Sequence, residues 1–417
     1  MSRWRELCRE PFRLLFPLSL LFGLLGVNHW LCYAVGWLPS YSGLIHASIQ
    51  LQTYLFGFIL GFLLTALPRF TASAPATSAE LLLILSLLIA QAGLLLAGLW
   101  LAAESCFIGL LVMLAVFAAR RARTRRSSGS PPAEFVWIPL SLFYGVAGAG
   151  LLIAGQTGRL PSWLFRLAQP LAQQASVLGI VIGVSGFMGP RLLGRALHAM
   201  PPDLTPHHAR RIRRRRIAWH LLAAVTFGAS FLVEGLGVTG IAYTLRAAVI
   251  TAELVWTVKL WPPPAAPDLY VKYVWAALWM IVLGLWGAGL APTHRVVMLH
   301  LVFLGGMSLM VFAVSTMVVL SHAGEAARLR QPSWPLRLMG FGVAGALLTR
   351  VAAEWSPERF FPLLAAAAIC WDVSAISWFV LALPRVWRAI PDGAFERMHE
   401  EAKRQFLKTA PSSETVC

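Results

Sequence analysis

Of the chain's 10 histidines, five fall in or beside long apolar stretches, where imidazole is a natural ligand for haem iron or copper. His29 lies in the outer half of the first stretch, His46 opens the second, and His300 lies in the outer part of the tenth. These three share a depth at which they could meet. His322 closes the tenth stretch and His220 opens the seventh, both on the inner side. His300 and His322 are 22 residues apart, which on one straight helix is roughly 33 Å. They cannot ligate the same metal, so if both are ligands there are two sites, one near each membrane face. For any one histidine the competing reading is a hydrogen-bonded interface residue.

Charges within apolar stretches are the second group of candidates, because burying them in hydrocarbon is costly. Arg246 and Glu253 share one helix face, Asp372 falls near the middle of the twelfth stretch, and Arg350 ends the eleventh on the outer side. A carboxylate such as Asp372 or Glu253 could relay protons or hold a cation; a structural hydrogen bond would serve equally well. Three stretches close on a Pro-Arg pair: Pro68-Arg69, Pro190-Arg191 and Pro384-Arg385. Proline ends helices and arginine anchors at the membrane interface. Alternatively, Arg69, Arg191 and Arg385 reach anionic groups such as haem propionates.

The elements that must hold these residues follow from composition. The chain has 417 residues, 58% hydrophobic and 13% charged, with mean hydropathy +0.69. Soluble domains carry about 25% charged residues. Apolar runs of helix-spanning length recur from end to end and lack the alternation of a barrel strand. The expectation is all-α: a polytopic membrane helical bundle of about twelve transmembrane helices, near 14–37, 44–67, 79–100, 102–118, 136–155, 164–188, 217–236, 239–260, 272–291, 295–320, 335–352 and 360–383. It forms a single integral membrane domain over 1–417, with halves at 1–200 and 210–390 and a cytoplasmic tail at 391–417. Segments 127–132 and 262–268 read as linkers. The run near the N-terminus has no cleavage site and reads as a retained span.

The net charge of +17 sits in short loops: the N-terminal arm with Arg13, Arg120–Arg126, Arg210–Arg216 and the tail. All strongly basic loops fall on one side, while the other set, including Glu104, is poorly charged. The positive-inside rule then gives a bacterial inner-membrane protein with both termini cytoplasmic. It also accounts for the charge without nucleic acid, so the bilayer is the expected partner. The five cysteines show no CxxC or zinc spacing.

Three motifs stand out: Pro11-Phe12-Arg13; Leu55-Phe56-Gly57-Phe58 continuing through Gly61 to Leu67-Pro68; and His300, Gly305-Gly306-Met307, Met317 and Ser321-His322-Ala323-Gly324. Together they resemble the NnrS family, the haem- and copper-containing membrane proteins linked to nitric oxide responses. The resemblance implies twelve spans, haem and copper as cofactors, and nitric oxide or another diatomic ligand. It carries over His300 and His322 as metal ligands. The family's His-x-His-Glu cluster before the Phe-Gly-Phe is replaced here by Gln50-Leu51-Gln52-Thr53, with His46 one turn earlier as a substitute. Glutamine is a poor metal ligand, which bears on the copper complement. The alternative function is a secondary transporter with Asp372, Glu253 and Arg246 as coupling charges. An oxidase-like catalytic subunit is disfavoured, because the sole adjacent histidine pair, His207-His208, lies in a basic segment.

Overall fold

The computed structural model describes residues 3–126, 131–195 and 206–388. The expected tail at 391–417 and residues 127–130 of the first linker lie outside the described residues. The described chain is all-α, with twelve helices long and apolar enough to cross a membrane: α1 (Phe12–Ala34), α2 (Gly43–Thr71), α3 (Ser78–Leu96), α4 (Trp100–Arg123), α5 (Ala133–Gly155), α6 (Ser162–Leu192), α7 (His207–Gly235), α8 (Thr239–Val258), α9 (Leu269–Leu290), α10 (Pro292–His322), α11 (Trp334–Glu354) and α12 (Pro357–Val386). It is a multi-pass membrane protein. A short helix, Arg3–Arg9, precedes α1.

Several expectations from the sequence are corrected. Arg120–Arg123 are helical, not loop, and close α4. Arg210–Arg216 are helical, not loop, and form the first turns of α7. Arginine is a good helix former, and no proline interrupts the run into the membrane. Glu104 is likewise helical. The turn between α3 and α4 is made earlier, at Gly98, whose φ of +72° suits a residue without Cβ. Glu104 therefore enters the bundle within α4 and is buried there.

The helices pack with a period of four. Within each period the first helix packs on the second (α1 on α2, α5 on α6, α9 on α10) and the third on the fourth (α3 on α4, α7 on α8, α11 on α12). The units join through α4 on α5 and α8 on α9, and α12 returns to pack on α1, closing a ring. The second helix of each unit contains π-helical turns: Ile49–Leu55 in α2, Leu171–Ala175 in α6 and Leu301–Ser308 in α10. Gly57, Gly61, Pro68 and Arg69 of α2 recur at the same spacing as Gly179, Gly183, Pro190 and Arg191 of α6. Outward faces such as Leu82, Leu83 and Ile89 of α3 are exposed leucine and isoleucine, as lipid contact requires.

Close helix approach depends on missing side chains. A Cβ on Gly148 of α5 would stand 2.2 Å from the backbone nitrogen of Ala172, inside the π-helical turns of α6. Backbone cannot move aside as a flexible side chain can. Gly148→Leu is therefore expected to destabilise the bundle by about 3 kcal/mol or more. A thermal unfolding midpoint in detergent equal to wild type would contradict this packing.

Candidate functional site

The cluster of Glu10, Arg13, Arg69 and His322 marks one end of the bundle, the basic end. The three histidines predicted to share a depth all lie toward the other, far end. His46 sits in the first turns of α2. The Ser42 hydroxyl caps that helix by accepting the Ile45 N–H, and the Ser42 N–H donates to His29 Nε2 at 2.7 Å. His29 thus fixes the α1–α2 turn and spends Nε2 doing so.

His46 and His300 are held differently. His46 Nδ1 donates to the Gly26 carbonyl at 2.9 Å, and His300 Nδ1 to the Val296 carbonyl at 2.7 Å. A carbonyl only accepts, so the proton of each neutral ring is on Nδ1 and the Nε2 lone pair is left for a ligand. α1 comes close enough to α2 because Gly26 has no side chain; a Cβ there would lie 2.6 Å from Gln50 Nε2. His300 immediately precedes the π-helical turns of α10 and His46 lies three residues before those of α2, a local widening common at functional sites. The Arg295–His300 turns of α10 pack against α11, which carries Arg350. Trp30 sets its ring edgewise against His46 at 5.7 Å.

Deeper in the bundle the polar groups turn inward on one another. Tyr54 Oη and Trp371 Nε1 both reach the Ser308 hydroxyl, at 3.4 and 3.5 Å. Asp372 is half-buried and accepts from Asn28 Nδ2 at 3.0 Å, tying α12 to α1. Sequence reasoning missed a further network. Gln52 donates to both oxygens of Glu104 at 3.1 Å, and Gln91 donates to Gln52. At this position a buried amide faces a carboxylate, while Gln50 is bonded to the Gly23 carbonyl. The signal was present: two glutamines and a glutamate within apolar helices are expensive unless they meet.

At the basic end His322 is the centre of an ion cluster. Its Nδ1 lies 2.8 Å from Glu10 Oε1 and its Nε2 2.6 Å from Arg69 Nη1. Glu10 also pairs with Arg13 at 2.6 Å and Arg69 at 2.7 Å. Arg13, expected as part of a basic loop, is buried and donates to the Arg388 carbonyl at 2.9 Å and to the Val386 carbonyl. Burial would raise the Glu10 pKa, but the hydrogen bond with His322 and the charges of His322, Arg13 and Arg69 outweigh it and hold the carboxyl at about 2. Both His322 ring nitrogens are thus engaged. The other Pro-Arg arginines differ: Arg385 pairs with Glu325 at 2.8 Å, and Arg191 lies over the Phe187 ring at 4.1 Å.

The second unit has its own buried charges. His220 Nδ1 is 3.0 Å from Glu253, and its Nε2 faces Glu134 at 3.9 Å. Trp137 Nε1 also donates to Glu253, at 3.4 Å. Arg246, fully buried, donates to Glu234 at 2.8 Å and to Ser230 at 3.0 Å, between the rings of Phe231 and Tyr243. Arg246→Met is expected to cost about 3–5 kcal/mol by stranding Glu234, and the double change Arg246→Met/Glu234→Met less. Thermal unfolding in detergent compares them; equal losses would show that the pair is not the unit.

A cavity of about 110 Å³ lies between α2, α6 and α10, with Phe16, Val274 and Leu278 completing its wall. Met188, Met307 and Met310 line it among aliphatic and aromatic neighbours. It offers a charged solute almost no hydrogen-bond partner.

Donor chemistry separates the two implied cofactors. A haem iron receives four ligands from its porphyrin and asks the protein for one or two imidazoles, which His46 and His300 can supply. A copper ion takes most of its ligands from the protein. Among the described residues no three His, Cys, Asp or Glu side chains gather for a metal ion. Two imidazoles with open Nε2 atoms are a donor set that suits a haem iron.

The sequence model of the NnrS protein family matches residues 6–389. The chain belongs to the NnrS family. The match spans all twelve membrane helices and both ends of the bundle, so the chain is a multi-pass membrane protein of a family linked to the nitric oxide response. Among the curated proteins, none matches the chain.

Proposed function

We propose that this protein binds haem at the far end of the bundle through His46 and His300, and acts in the response to nitric oxide. The observation that carries the reading is the matched state of these two imidazoles. Each sits on the second helix of its unit, within one turn before π-helical turns, with Nδ1 fixed to a backbone carbonyl and Nε2 left for iron. Bound haem supplies an iron that takes a diatomic ligand or passes an electron. The protein orients the imidazoles through the Gly26 and Val296 carbonyls and sets Trp30 against His46. By the positive-inside rule the basic end faces the cytoplasm and the haem end the opposite side of the inner membrane. His322 then acts as an ion-pair centre at the cytoplasmic face.

The transporter reading has less support. Asp372, Glu253 and Arg246 are each bonded to a neighbouring side chain, and the cavity between α2, α6 and α10 is apolar. Adding nitric oxide to the dithionite-reduced, purified protein tests the proposal. A shift of the Soret band that saturates near one equivalent is expected. A haem protein whose spectrum ignores nitric oxide would overturn the proposed role.

A further inference from the structure

Among the described residues, four arginines are nine-tenths or more buried, and three of them are closely compensated. Arg13 has Glu10 at 2.6 Å, Arg121 has Glu80 at 2.6 Å, and Arg246 has Glu234 at 2.8 Å. Arg350, 8% exposed, is the exception. Its Nη1 is buried without a hydrogen-bond partner, and the closest approach of Glu354 is 3.8 Å, beyond hydrogen-bond range. The other oxygen of Glu354 is committed to His294 Nδ1 at 3.1 Å. The Phe360 ring lies 6.0 Å away, and the Arg295–His300 turns of α10 pack against α11. Neither an aromatic ring nor a neutral imidazole carries negative charge. A guanidinium N–H left unpaired near the membrane interior is costly, and an anionic oxygen relieves that cost.

We propose that Arg350 anchors an anion site beside His46 and His300 that takes a carboxylate or a small planar oxyanion. One acceptor oxygen would meet Nη1, which Glu354 approaches only to 3.8 Å, and a guanidinium so loosely paired suits a single negative charge. This chemistry has two sources: a propionate of a bound haem, or a free anion. The orphaned N–H stands whether or not haem binds, so the site does not rest on the haem reading.

The test is calorimetric titration of the haem-free protein in detergent with nitrite and with acetate. Wild type is expected to bind at least one of them. Arg350→Gln is expected to weaken binding about tenfold or more, as loss of a charge-assisted hydrogen bond implies. Arg350→Lys should retain part of it, and Arg359→Gln, an exposed change nearby, all of it. Should Arg350→Gln fail to elute as folded protein, the lysine variant carries the comparison. Repeating the titration after haem loading separates the sources: a propionate blocks nitrite, whereas a free-anion site stays open. Unchanged affinity in both Arg350 variants, or no binding of either probe by wild type, would overturn the proposal. Failure to load haem bears only on the proposed function.

Discussion

Alanine at His300 is expected to lower the haem retained by the purified protein about tenfold or more, with the fold intact. His300 is half-buried and bonded only to the carbonyl one turn before it, so removing the ring breaks no tertiary bond. The loss should appear in the Soret absorbance per chain and in bound iron, while the unfolding midpoint moves little. Alanine at His46 should act in the same direction, with a larger stability cost, because its ring joins α2 to the Gly26 carbonyl of α1. His322→Ala is the contrasting case. It removes a partner of Glu10 and Arg69, so stability falls and haem content does not. Loss of haem in His322→Ala with retention in His300→Ala would reverse the assignment of the two ends.

The second large effect is expected at Glu10. Its carboxylate meets His322, Arg13 and Arg69, and so joins the segment before α1 to α2 and α10. Glu10→Gln leaves the buried Arg13 with a weakened partner and is expected to cost about 3–5 kcal/mol. The carboxyl has its pKa lowered from 4.5 to about 2 by folding. A lowered folded-state pKa contributes stability above the unfolded value and loses it as pH falls. The contribution, on the order of 3 kcal/mol, is therefore complete above pH 4.5 and disappears toward pH 2. Unfolding midpoints of wild type and Glu10→Gln should differ most near neutral pH and converge in acid. A constant gap across that range would exclude the carboxylate as the cause.

The twelve spans were legible because hydrocarbon demands long apolar helices, and that demand is written in local composition. The period of four was not. It rests on which helices touch, and the sequence keeps it only in scattered positions, such as Gly57, Gly61, Pro68 and Arg69, repeated in α6. The shared depth of His29, His46 and His300 followed from span order. Which nitrogen each leaves open did not, since that depends on carbonyls of other turns and helices. Glu104 was misplaced by a few residues, enough to hide a buried carboxylate network, because the Gly98 turn is tighter than the apolar run suggested. Glu10 passed as one charge in a basic arm. Its role arises only where α1, α2 and α10 end together.

The most direct test of the account is the optical spectrum and iron content of the protein purified from membranes, beside the His46→Ala/His300→Ala double variant. The account predicts a Soret band that shifts on reduction and near-stoichiometric iron in wild type, with both absent from the folded double variant. A colourless wild type that stays so after haem reconstitution, or a double variant with the wild-type spectrum, would contradict it.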